Sequence, residues 1–343
     1  MKRSCPRSLR VLAPAALGLL LFTAGPALAD DVGGGEPVTL TPAAPEDECP
    51  TWFPDFRCDR HGRYEGFVMP MQMPYLFEDP FITTGISAHG IWHQFPNDSA
   101  MEGGDLWLLA VQARLAITDR LAFIATKDGY TWQRPDNPAL DQEEGFYDIT
   151  IGLKYALIDR PEDNFILSPS IRFDIPIGQR AVFQGNGDGV FIPTISSAWG
   201  TGNFHLIGDV GGRIPFDGDG ETAQFYWNLH ADYALLEWLV PFIEFGGLHY
   251  LSEGDGSFQV KLDEGSVPLA ALNSEAAYGP FDAIDVGNIG GVGQDGKAIV
   301  IFTAGLRFPI GDHWMLGASY DIPMTRVRDI WKQRATLNVN LEF

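Results

Sequence analysis

The chain has 343 residues, with 45 acidic against 23 basic side chains, a formal net charge of −22 and 45% hydrophobic residues. That hydrophobic share can bury a core, which excludes a disordered chain. The acidic excess excludes nucleic acid as a partner, because phosphate contacts need clustered Lys and Arg. Glycine is abundant (39), 12% of residues are aromatic and only 20% are charged, a composition of β character.

The first elements in the chain concern export. Lys2, Arg3, Arg7 and Arg10 precede an apolar stretch, Val11–Ala24, and Ala27-Leu28-Ala29 offers the small-x-small pattern cut by signal peptidase. The apolar run is too short for a spanning helix, which needs about 20 residues. Residues 1–29 therefore read as a cleaved signal peptide. Export places Cys49 and Cys58 in an oxidising compartment, where an adjacent pair points to a disulfide worth up to ~2.7 kcal/mol. Zinc is the rival, but two cysteines with only His61 nearby are too few ligands for a structural site. No metal or other cofactor is expected.

Segment 30–82 carries eleven acidic and three basic residues, several prolines and Met69-Pro-Met-Gln-Met-Pro-Tyr75. Two readings stand for it: a periplasmic leader, or a plug entering a barrel through its Met and aromatic residues.

From about residue 83 the chain alternates with period two. In 145–158, Tyr147, Ile149, Ile151, Leu153, Tyr155 and Leu157 take one face, against Asp148, Thr150, Gly152, Lys154 and Ala156. Phe225, Trp227, Leu229, Ala231 and Tyr233 oppose Tyr226, Asn228, His230 and Asp232. At the end of the chain, Ala335, Leu337, Val339, Leu341 and Phe343 oppose Thr336, Asn338, Asn340 and Glu342. Twelve such segments are predicted, near 84–95, 105–117, 121–131, 145–158, 165–175, 190–199, 204–214, 224–234, 239–250, 297–308, 314–322 and 334–343. Their connections are alternately short and long, the pattern of an all-β, antiparallel, up-and-down transmembrane barrel over 83–343. A secreted β-sandwich would need no such alternation of loops.

Aromatic residues gather near strand ends, Trp107, Tyr147 and Phe225 toward one rim and Tyr155, Trp199, Phe204, Tyr233, Phe308 and Trp314 toward the other, as headgroup belts require. Phe343 closes the last strand and resembles the C-terminal signal read by the barrel-assembly machinery. A cell outer membrane of a Gram-negative bacterium, with its lipid and lipopolysaccharide, is the expected setting.

Two stretches carry a family resemblance. Gly145-Phe-Tyr-Asp-Ile-Thr-Ile-Gly-Leu-Lys-Tyr155 has the pattern G-x-x-D-x-x-x-G-x-K-Y, and Ser170-Ile-Arg-Phe-Asp-Ile-Pro-Ile-Gly178 ends in a P-x-G corner. With Val240-Pro-Phe-Ile-Glu-Phe245 and Ala304-Gly-Leu-Arg-Phe308, they resemble the phenol meta-pathway-like outer-membrane proteins over roughly 145–343. The resemblance implies a barrel that passes hydrophobic or aromatic compounds. Loop 251–296 and the Cys-containing segment fall outside its pattern.

The alternation makes Arg114, Asp148, Lys154, Arg172, Asp174, Asp209, Arg213, His230, Asp232, Glu244, Arg307, Asp321 and Glu342 face the lumen. These side chains form either a polar constriction on a solute pathway or a ladder of ion pairs filling a narrow interior. Dense pairing and a docked 30–82 segment would favour a closed structural or adhesive barrel presenting acidic external loops. An apolar pocket, or a plug with a passage beside it, would favour transport.

Three motifs fail on context. Gly291-Val-Gly-Gln-Asp-Gly-Lys297 lacks the hydroxyl of a P-loop, and Asp217-Gly-Asp-Gly-Glu221 lacks the last glutamate of a calcium loop. Ser99 with His89 and His93 suggests a lipid hydrolase, but no oxyanion hole is readable. The reading is a non-enzymatic outer-membrane barrel passively admitting a small solute.

Overall fold

A computed structural model describes residues 63, 64, 66–262, 265–274, 281–283 and 285–343. All described residues lie in one compact unit, within 48–343. The signal peptide and Cys49 and Cys58 lie outside the described residues.

In chain order the strands are β1 (Gly85–Gln94), β2 (Gly104–Ala116), β3 (Leu121–Lys127), β4 (Tyr130–Pro135), β5 (Glu143–Phe146), β6 (Ile149–Tyr155), β7 (Ile158–Arg160), β8 (Phe165–Ile175) and β9 (Val190–Thr201). They continue as β10 (Phe204–Pro215), β11 (Gln224–Tyr233), β12 (Val240–Tyr250), β13 (Gln259–Leu262), β14 (Gly265–Pro268), β15 (Ala298–Ile310), β16 (Trp314–Pro323) and β17 (Gln333–Glu342), with one short helix, α1 (Leu269–Ser274). Each wall strand pairs antiparallel with its neighbours, and β1 pairs with both β2 and β17. The sheet is therefore closed. β3 with β4, and β5 with β6, are single wall strands interrupted, and β7 is a short flap beside β8, so the wall has the expected twelve strands.

Closure satisfies the edge N–H and C=O groups that an open sheet would expose to hydrocarbon. The apolar face points outward: Leu109, Leu153, Ile195, Leu229 and Leu337 are all exposed, Leu337 by 67%. Such a continuous apolar exterior is unfavourable in water and matched to lipid. Trp107, Tyr155, Trp199, Tyr233 and Trp314 are also exposed, as rings at a headgroup boundary require. No helix among the described residues is long and apolar enough to cross a membrane; the crossing elements are strands.

Two wall strands are interrupted where the alternation slips. Gly129, at φ +128, separates β3 from β4, and the β3–β6 ladder shifts register between Ala125 and Lys127. Opposite, residues 147 and 148 separate β5 from β6. Both are buried, so Tyr147, expected on the lipid face, points inward. An interruption of this kind re-aims side chains that a strict period of two would send outward.

Candidate functional site: a lumen filled by residues 66–84

Among the described residues, the lumen-facing side chains pack against a segment of the chain itself. Residues 66–84 enter the barrel at the end that carries the short turns, and they leave by the same end. On entry, Tyr64 donates its hydroxyl to Asp159 of β7, and Phe67 packs on His205 at the start of β10, with ring centroids 4.8 Å apart. On exit, Thr84 holds the Ala116 N–H with its hydroxyl and accepts the Phe343 N–H at its carbonyl. Between them the chain turns at Met73, whose carbonyl accepts the N–H groups of Leu76 and Phe77. Near this apex Tyr75 donates to Asp174, 2.9 Å away at the far end of β8.

The wall holds this segment chiefly by its backbone. Glu244 accepts the N–H groups of Met71 and Gln72 at 2.8 and 2.7 Å, and Asp209 accepts that of Glu78 at 3.0 Å. Arg307 donates to the carbonyls of Met69 and Pro70, and Arg172 to those of Tyr75 and Leu76. Gln112 reaches the carbonyl of Pro74 and Ser168 that of Pro80. Charged partners make such bonds about twice as strong as neutral ones. Glycines make room for the methionines, since a Cβ on Gly246 would meet Met73 Cε at 2.3 Å and one on Gly317 would meet Met71 Sδ at 2.6 Å.

Two side chains of the segment form the densest ion-pair cluster. Arg114 grips Glu78 through Nη2 at 2.8 Å and Nε at 3.2 Å. Lys154 reaches Glu78 at 2.8 Å and Asp79 at 3.1 Å, and Arg114 Nε lies 3.4 Å from Asp79. All four are buried.

The remaining sequence-derived lumen residues, Glu342 excepted, are also buried. Asp174 pairs with Lys127 at 2.9 Å. Asp148 accepts the N–H groups of Gly178 and Gly185, so the aspartate of the G-x-x-D-x-x-x-G-x-K-Y motif pins the P-x-G corner. Gly152 of that motif keeps the backbone clear of Arg172, whose Cγ would lie 2.7 Å from a Cβ there. Arg213 donates to Gln224 and to the carbonyl of Gly287. Asp321 sits in register with Arg334. Glu342 is half-buried at the end of β17. His205, Asp232, His230 and Glu244 form an unbroken buried chain, with steps of 2.7, 3.0 and 2.7 Å. Asp209 bonds Asn228 instead.

Sequence reasoning did not single out Glu78, Asp79, Lys127, His205, Asp285 or Arg334. Lys127 escaped because β3 slips register, and Asp285 because it sits in a long loop. Its described residues 281–283 and 285–291 fold inward at the long-loop mouth. Asp285 forms a two-pronged pair with Arg334 at 2.7 and 2.8 Å, Phe281 packs on Phe183, and Asp282 accepts from Thr222 and Gln224. Both mouths are thus covered, and an interior cavity of about 30 Å³ beside Tyr75 and Lys127 has room for a water or two, not a solute.

The hydrolase motif does not assemble. The Ser99 hydroxyl donates to the carbonyl of Pro96, while His93 contacts the carbonyl of Ile330 and receives a bond from Arg334. Among the described residues neither histidine is paired with Ser99.

No protein-family model and no curated protein matches the sequence. Among solved structures, the COG4313 outer membrane channel from Pseudomonas putida F1 matches 81% of this chain and all of its own length, at 14% identity and a TM-score of 0.50. KdgM porin matches 76% of this chain and 99% of its own at 10% identity and 0.40. The translocator domain of the autotransporter NalP from Neisseria meningitidis matches 77% and 90% at 10% identity and 0.41. The first of these likenesses shows the fold: a closed twelve-strand barrel of the kind found in Gram-negative outer membranes.

Proposed function

We propose that this chain is an outer-membrane channel that passively admits small solutes, hydrophobic and aromatic ones among them, when residues 66–84 withdraw from the lumen. The observation that carries this reading is topological. The obstruction is a loop with both ends at one mouth, and none of its residues belongs to the wall ladders. It can leave without breaking a single strand pairing. Its bonds are largely to backbone atoms, which water or a solute can replace one for one. The motif resemblance to phenol meta-pathway-like proteins supports the solute class.

A second reading draws on the same packing. Covered mouths and a densely paired lumen are what a closed structural barrel would show. The composition of the filling argues for the channel. Buried charges stabilise less than apolar side chains of similar volume, so a barrel with only a structural task would be better filled with Leu and Val than with Arg172, Arg307, Glu244 and Lys154. A wall that must be wetted needs them.

The test pins the loop to the wall. Gln72 Nε2 lies 2.7 Å from Thr303 Oγ1, so Gln72→Cys with Thr303→Cys, on a chain carrying Cys49→Ser and Cys58→Ser and oxidised through a short bis-methanethiosulfonate bridge, gives a tether that a thiol reductant releases. Under the channel reading, liposomes bearing the oxidised variant swell no faster in small sugars than empty ones, and reduction restores swelling. Equal behaviour before and after reduction would refute withdrawal of the loop as the opening step.

A further inference from the structure

We infer that Arg114 and Lys154 form the solute-binding site of the lumen, and that the solute is a small aromatic carboxylate for which the chain's own Phe77, Glu78, Asp79 and Phe81 stand in. This rests on the channel reading above and adds the chemical class of what passes.

The cationic half of the site is built for a carboxylate. Arg114 presents Nε and Nη2 to the two oxygens of Glu78 at 3.2 and 2.8 Å, the fork geometry that matches a planar carboxylate. Lys154 adds a second cation 2.8 Å from the same group, and its side chain is fully buried. The anions that satisfy this pair come from the inserted segment. When that segment leaves, two buried cations lose Glu78 and Asp79 together, and Arg172 and Arg307 lose the carbonyls they hold. The vacated pair then faces a wetted lumen as two adjacent cations without a counter-charge, one of them a fork that matches a planar carboxylate, and so favours an entering anion.

Beside the pair, the wall is apolar. Phe77 and Phe81 are buried in a cluster with Ala116, Ala122, Ile124, Ala156, Ile166 and Ile207. The segment thus places phenyl rings against an aliphatic wall within a residue or two of carboxylates on the Arg–Lys pair, the two halves of an arylcarboxylate. Across the lumen, Asp209 and Glu244 face the same segment and hold its N–H groups. That separation of charge orients an entering solute with its carboxylate toward β2 and β6.

The experiment is single-channel recording of the full chain in potassium chloride, with benzoate added, or benzamide as its neutral isostere, or acetate as its ring-free counterpart. Three proteins are compared: the unaltered chain, Glu78→Gln/Asp79→Asn, which empties the site of its internal anions, and the same pair with Arg114→Gln/Lys154→Gln, which removes the site while keeping charge balanced. We expect benzoate to interrupt the current of the unaltered chain at concentrations at least tenfold below benzamide or acetate. The double variant should lower the effective benzoate concentration a further tenfold, and the quadruple variant should erase the difference between benzoate and benzamide. Equal potency of benzoate and benzamide in the unaltered chain, or discrimination that survives in the quadruple variant, overturns the assignment while leaving the channel standing. Equal potency of acetate and benzoate overturns its aromatic half. Absence of current in all three proteins overturns the channel reading itself and the assignment with it. If the variants fail to assemble, the three-ligand comparison on the unaltered chain decides.

Discussion

Several charged side chains buried in this barrel are held in ion pairs, and each pair predicts what its loss would cost. Lys154 is fully buried with Glu78 and Asp79. Lys154→Met leaves Glu78 with one cation fewer and should lower stability by ~3–5 kcal/mol, the range for breaking a buried pair. Adding Glu78→Gln should recover much of that loss, which urea titration of the folded band on gels would measure. Glu221 sets a pH dependence at the long-loop end. It lies between β10 and β11, packed against Gly187, and burial pushes its carboxyl up to about 8, opposed by the nearby Arg213 guanidinium. The folded-state value is raised, so its contribution is fully present below the ordinary carboxylate value of about 4.5 and is lost as pH rises through about 8. Amide protection factors in residues 216–223, taken relative to intrinsic base-catalysed exchange, should therefore fall as pH rises from about 5 to about 8, and Glu221→Gln should remove that fall. An unchanged pH profile in the variant would place its origin elsewhere.

At the scale of elements, the strands were legible because one face of each had to meet lipid and the other the lumen, which writes a period of two into the sequence. Ile149, Ile151, Leu153 and Tyr155 against Thr150 and Lys154 is a pattern that only a two-faced strand needs. The period fails where the backbone departs from it, at Gly129 and at residues 147–148, which is why Tyr147 was placed on the wrong face. Docking of residues 66–84 was far less legible. Its partners read backbone N–H and C=O groups, which every residue supplies, so the wall's grip on Met71, Gln72 and Tyr75 leaves almost no trace in their identities. Glu78 and Asp79 do leave one, but two acids in an acidic segment are not distinctive. The seats of the methionines offer a probe that leaves every charge alone. Gly246→Leu should crowd Met73 out of its place and expose residues 66–82 to protease in the membrane-embedded protein, while the wall remains intact. At the other end of the chain, the Phe343 N–H bonds to Thr84 and its ring lies 6.4 Å from that of His313. Deleting Phe343 should reduce the yield of assembled barrel in outer-membrane fractions, and an undiminished yield would count against its role as the assembly signal.

For the whole molecule, a closed barrel resolves two demands at once. It hides the backbone from hydrocarbon, and it encloses a polar lumen that an open sheet in lipid could not keep. The lumen is filled from both ends by pieces of the chain that are not wall: residues 66–84 from the short-turn mouth and residues 281–283 and 285–291 from the other. The inner loop alone runs nearly the height of the barrel and returns, which makes it the element whose movement decides between a channel and a solid wall. Single-channel conductance of the chain from Asp30 onward, beside a variant lacking residues 66–82, tests this most directly. Brief, small openings in the first and steady, larger currents in the second are the expected result. A correctly assembled variant that conducts no better than the intact chain would contradict a lumen gated by that loop.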